Sequence, residues 1–64
     1  MKRNDHVKIN DLNEGDVFHL PTNKVPCLLV RKEFNKITYY KNHSRFQEAV
    51  TKNLLQEVVY LRTV

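Results

Sequence analysis

The side chains best suited to metal or nucleophile chemistry in this chain are Cys27 and three histidines, His6, His19 and His43. Zinc needs three or four converging ligands, and spacings such as C-x-x-C or H-x-x-x-H pre-position two of them. Neither spacing occurs here. A Cys–His pair could also supply a thiolate nucleophile. Cys27, however, stands beside Pro26 at the head of the apolar run "CLLV", where a cysteine serves as a small core hydrophobe. Ser44 follows His43 directly, and adjacent side chains do not converge as a nucleophile and its base must. Asp11, Glu14 and Asp16 cluster around the only glycine, Gly15. In such a turn carboxylates cap backbone N–H groups. A phosphate-cradling loop needs several glycines. The sequence thus points away from an enzyme, and no cofactor and no metal are expected.

The remaining chemistry is positive charge. The chain carries a net charge of +4, unevenly spread. Residues 24–45 hold Lys24, Arg31, Lys32, Lys36, Lys41 and Arg45 against Glu33 alone. The segments on either side are close to neutral. Basic groups neutralise phosphates, and aromatics offer stacking platforms to unpaired bases. Here the cations are interleaved with Phe34, Tyr39 and Tyr40. The candidate binding residues are therefore Arg31, Lys32, Lys36, Tyr40, Lys41 and Arg45. The same pattern also suits a solvated face, with Tyr39 in the core, Tyr40 packing across strands and lysines guarding an edge.

These residues need a scaffold, and 64 residues allow only one small domain. Such a chain buries about 60% of its extended surface. Its core rarely supplies more than about 3–5 kcal/mol, which leaves little to support a deep catalytic cleft. One cysteine excludes an internal disulfide, and the charged start "MKRND" is not followed by an apolar signal segment. "CLLV" is far too short to span a membrane. A cytoplasmic location is expected.

"HVKIN" alternates with the period of a half-buried strand, and "DVFHL" resumes that pattern after "DLNEGD". Gly15 is placed where a left-handed turn or bulge must re-aim the chain, with Asp11 and Asp16 beside it as turn residues and Leu12 as a plug into the core. "PTNKVP" reads as a loop. "CLLVRKEF" and "KITYYK" form a hairpin turning at Glu33–Lys36, with Asn35 suited to a left-handed conformation. One register puts Leu28, Val30, Ile37 and Tyr39 inward and Arg31, Thr38 and Tyr40 outward; the opposite register exchanges them. Residues 1–5 read as a frayed start. From Ser44 onward two readings compete. Phe46, Val50, Leu54, Val58 and Leu61 fall on one helical face, and Ser44 with Gln47 could form a capping box. Alternatively, Phe46–Val50 and "LLQEVVYLRTV" are strands separated by a turn at "TKN".

The stretch "DLNEGDVF", through Asp11, Leu12, Gly15, Asp16, Val17 and Phe18, resembles the opening of small SH3-like β-barrel proteins of bacterial and phage type. The later hairpin and the closing "EVVYL" fit the same layout. The resemblance implies a binding module, in the setting of a phage or mobile-element accessory or regulatory protein. It covers eight residues as a motif and most of the chain as a layout.

The reading adopted is one mainly β domain over residues 1–64, a small SH3-like barrel of about five strands. Its alternative is an α+β fold, a four-stranded antiparallel sheet with a C-terminal amphipathic helix over 44–59. In function it is a non-enzymatic protein-interaction module docking on an acidic protein partner. The alternative is a nucleic-acid-binding small barrel using the basic 27–45 region. A homodimer through an exposed strand edge is a variant of the first.

Overall fold

Valine, isoleucine and aromatic residues recur at alternate positions along this chain, and one glycine offers few places to break the pattern. Such side chains favour a pleated, half-buried surface. The computed structural model describes residues 2–41 and 48–64. In it the strands are β1 His6–Lys8, β2 Asp16–Leu20, β3 Asn23–Lys32, β4 Ile37–Lys41, β5 Glu48–Thr51 and β6 Glu57–Thr63. Strand accounts for 60% of the described residues, and no α-helix occurs among them. Among the described residues no helix is long and apolar enough to cross a membrane.

The strands form one antiparallel sheet in the order β1-β6-β2-β3-β4-β5. Among the described residues no ladder joins β1 to β5, so the sheet is not closed into a barrel. The mainly β expectation is met, with six strands in place of about five. The helix over 44–59 is corrected: residues 48–51 and 57–59 are strand. Residues 44–47 lie outside the described set. The helical spacing misleads because β6 runs between β1 and β2. There Val58 and Val59 are both buried, whereas Val50, on the supposed common face, is 52% exposed. Pairing on both sides overrides helical periodicity.

The core gathers Phe18, Ile9, Leu12, Cys27, Leu29, Ile37, Tyr39 and Val58. Phe18 and Tyr39 meet edge to face, ring centroids 5.4 Å apart, a favourable aromatic geometry. In β3 the inward residues are Cys27 and Leu29, which overturns the register with Leu28 and Val30 inward. The cause is a bulge. Leu29 pairs with Tyr39 but Arg31 pairs with Thr38, leaving Val30 as the extra residue. Strict alternation would carry Arg31 inward with Leu29. The bulge resets the phase and releases it to solvent.

Two boundaries also differ from the sequence reading. The first strand ends at Lys8, and Ile9–Asp11 form one 3₁₀ turn with Ile9 in the core. The expected loop over 21–26 is a tight hairpin instead, with Leu20 paired to Asn23 across Pro21–Thr22. Proline pre-sets the backbone for the second position of such a turn. Pro26 falls within the register shift between β2 and β3, where its missing N–H matters least. Residues 2–5 make a turn in which Asp5 N donates to Lys2 O, and Asn4 N donates to Tyr60 O at 2.7 Å.

Candidate docking surface

Gly15 determines how the basic hairpin is mounted. Its φ is +93°, a region L side chains rarely adopt. Its N–H donates to Leu29 O and its carbonyl accepts from Val64 N, both at 2.8 Å. The turn is thus clasped between β3 and the end of β6. A Cβ here would stand 3.3 Å from Val64 O. The surrounding carboxylates cap backbone donors, one each. Asp11 accepts from Lys8 N at 3.3 Å, Asp16 from Asn13 N at 2.8 Å, and Glu14 from Lys32 N at 3.3 Å. Each of the three carboxylates thus accepts a backbone N–H, as expected of caps in a turn.

The β3–β4 hairpin closes with Glu33 N donating to Lys36 O at 2.9 Å. Asn35 does not take the expected left-handed conformation; among the described residues only Asn4 and Gly15 have positive φ. A four-residue connection accommodates ordinary backbone angles and needs no such residue. Phe34 stands at the tip and is 99% exposed.

Among the described residues the predicted cations do not form one patch. Arg31 Nε lies 3.0 Å from Glu33 Oε1, and Lys36 Nζ lies 3.7 Å from the same oxygen. One carboxylate therefore sits between two of the proposed phosphate contacts. Lys32 turns the other way and donates from Nζ to Asn10 O at 2.8 Å. With Asn13 and Glu14 it lines an open recess. Lys41 is exposed at the far end of β4, opposite Cys27. Arg45 lies outside the described residues. Tyr40 does point away from the core, as read, but it is half-buried, with Leu28 and Glu48 as its cross-strand partners. That places a carboxylate beside the one aromatic proposed for stacking.

Two residues were absent from the sequence-derived site. Phe34 was legible: an aromatic inside a four-residue turn has no core to reach. Leu55, 73% exposed, lies in the turn over 52–56 between β5 and β6. Both the helical and the strand reading of the C-terminal half hide it, because each runs regular structure through Leu54, whereas β6 starts at Glu57.

Cys27 is buried in the core, and its Sγ lies 3.5 Å from Val25 O. His19 Nδ1 lies 2.8 Å from Leu20 O, so that nitrogen carries the proton. His6 Nδ1 is 3.8 Å from Glu57 Oε1 on the surface. Among the described residues no three His, Cys, Asp or Glu side chains are grouped to hold a metal. Burial, with Cys27 nearby, pushes the Tyr39 hydroxyl above the usual tyrosine range. Comparison with protein families, curated proteins and solved structures found no match.

Proposed function

We propose that this chain is a non-enzymatic protein-interaction module that docks on an acidic partner protein in the cytoplasm. The observation that carries this reading is Phe34, fully exposed at the hairpin tip with Arg31, Lys32 and Lys36 nearby in the chain. Aromatics and arginine are the types enriched where proteins meet. The setting of a phage or mobile-element accessory or regulatory protein rests on the "DLNEGDVF" resemblance. So does an SH3-like arrangement of the strands, supported by that turn's position ahead of the β3–β4 hairpin.

The alternative is nucleic-acid binding through the basic 27–45 region. Two features favour protein over phosphate. Glu33 already occupies the space between Arg31 and Lys36. Glu48 stands across from Tyr40, where a stacked base would bring its phosphate near an anion. The surface is mixed in charge and apolar character, unlike the continuous cationic groove that tracks a nucleic-acid backbone.

Anisotropy titrations with labelled single-stranded DNA, duplex DNA and RNA at two salt concentrations test the choice. The protein reading expects no saturable binding at either. Tight binding that collapses with salt, and that is lost when Arg31→Ala and Lys36→Ala are combined, would overturn it. Homodimerisation through the β1 or β5 edge is a variant, and a monomer by sedimentation at high concentration removes it.

A further inference from the structure

We infer that the docking surface has two parts, with Phe34 and Leu55 engaging one acidic, apolar segment of a partner protein together. The inference rests on the protein-interaction reading and adds a second turn and a partner chemistry to it.

The sheet register brings the two turns together. Ile37, the first residue of β4, pairs with Lys32 on one side and Thr51 on the other. The β3–β4 turn and the turn over 52–56 therefore leave the same end of the sheet, one strand apart. The 3₁₀ segment Ile9–Asp11 ties their bases. Asn10 O accepts from Lys32 Nζ at 2.8 Å, Asn10 N donates to Leu54 O at 3.2 Å, and Ile9 N donates to Gln56 O at 2.8 Å. That segment is itself held by Ile9 and Leu12, both essentially fully buried. The bases of the two turns are thus fixed before any partner arrives, which reduces the ordering cost of binding.

The chemistry of this end selects the partner. Phe34 is 99% exposed and Leu55 73% exposed, and both project from turns. Lys36 and Lys52 lie on the same two turns. With Arg31 and Lys32 at the foot of the first turn, these cations outnumber the nearby carboxylates Asp11, Glu14 and Glu33, of which Glu33 is paired with Arg31 and Lys36, so this end keeps a small positive excess. The complement is a segment with two apolar side chains set among Asp and Glu. Leu55 has no π face to stack on a base, so its exposure at the same end of the sheet as Phe34 fits a protein segment better than a nucleic acid.

The test selects a displayed random-peptide library against the immobilised full chain. Enriched peptides are then titrated against wild type, Phe34→Ala and Leu55→Ala, with thermal melts showing that both variants fold. The expected result is enrichment of peptides with acidic and apolar residues, and a loss of about tenfold in affinity for each variant separately, typical of an interface anchor. If only Phe34→Ala weakens binding, the two-part surface is wrong and the protein-interaction reading stands. If nothing is enriched, if enriched peptides lack acidic residues, or if both variants bind them normally, both ideas fail. Co-sedimentation with phosphatidylserine vesicles is run in parallel. Binding to vesicles without peptide enrichment would replace the partner protein with a lipid surface.

Discussion

Thr63 Oγ1 donates to Asp16 Oδ1 at 2.6 Å, joining the end of β6 to the start of β2. Thr63 has one hydroxyl proton, and the carboxylate takes it. The 2.6 Å contact between Thr63 Oγ1 and Tyr60 Oη is then a bond donated by Tyr60. The other oxygen of Asp16 accepts from Asn13 N. A relay therefore runs from β6 through a buried carboxylate into the turn that holds Gly15, and fixes the turn to the sheet.

Asp16→Ala should destabilise the fold by about 1–3 kcal/mol, because two donors lose their acceptor and Asp16 is buried. Thr63→Val should cost about 1 kcal/mol, since Thr63 is itself exposed and water can replace part of the bond. Urea unfolding of the single and double variants completes a double-mutant cycle. A coupling near zero would mean that the two residues are neighbours without being partners.

Gly15→Ala should cost about 1–2 kcal/mol, the penalty for an L side chain in left-handed backbone. The added Cβ also presses on Val64 O at 3.3 Å. Urea midpoints measure it, and an unchanged midpoint would show that the turn relaxes freely.

How much of this was legible from residues follows their physics. Gly15 was readable because a lone glycine amid turn-formers marks left-handed backbone, and the carboxylates beside it were readable as caps. Mainly β character was readable from alternation. The inward face of β3 was not, because the bulge at Val30 changes phase within a strand and leaves no mark on residue type. The C-terminal half was ambiguous because β6 is buried on both faces, and a continuous apolar run fits helix or strand alike. The charge count located the cations but not their directions. Lys32 departs towards Asn10 while Arg31 and Lys36 converge on Glu33, and only tertiary geometry decides that.

Tyr39 gives a pH dependence with a defined sign. Its folded pKa is raised above the ordinary value of 10.0, first by burial and then by Cys27. The unfolded chain then releases this proton at lower pH than the folded one does. Stability from the neutral hydroxyl is intact below the unfolded pKa and is lost as pH rises through about 10 towards the folded value. Urea unfolding between neutral and alkaline pH should show this decline in wild type, and a shallower one in Tyr39→Phe. Parallel profiles would assign the alkaline loss to other groups.

Phe34→Ala should leave stability within about 0.5 kcal/mol of wild type, because its side chain is exposed and supports no packing. Leu29→Ala, fully buried in the same hairpin, should cost about 2–5 kcal/mol and bring so small a domain close to unfolding. Thermal melts compare the two. A large loss from Phe34→Ala would make that ring part of the fold and remove it from the docking surface.

Glu33→Gln probes why the hairpin is not simply cationic. Its carboxylate is shared by Arg31 and Lys36, and Arg31 is 69% exposed, so the pairs contribute little to stability and melting should hardly change. What changes is the field. Two cations are released and the net charge rises from +4 to +5. Single-stranded DNA at low salt should then bind the variant where it does not bind wild type, and the new binding should vanish as salt rises. Glu33 would in that case act as a guard that keeps a protein-docking surface from collecting polyanions. Equal DNA binding by both forms would mean that the carboxylate screens nothing, and that the hairpin's cations are available to phosphate as they stand.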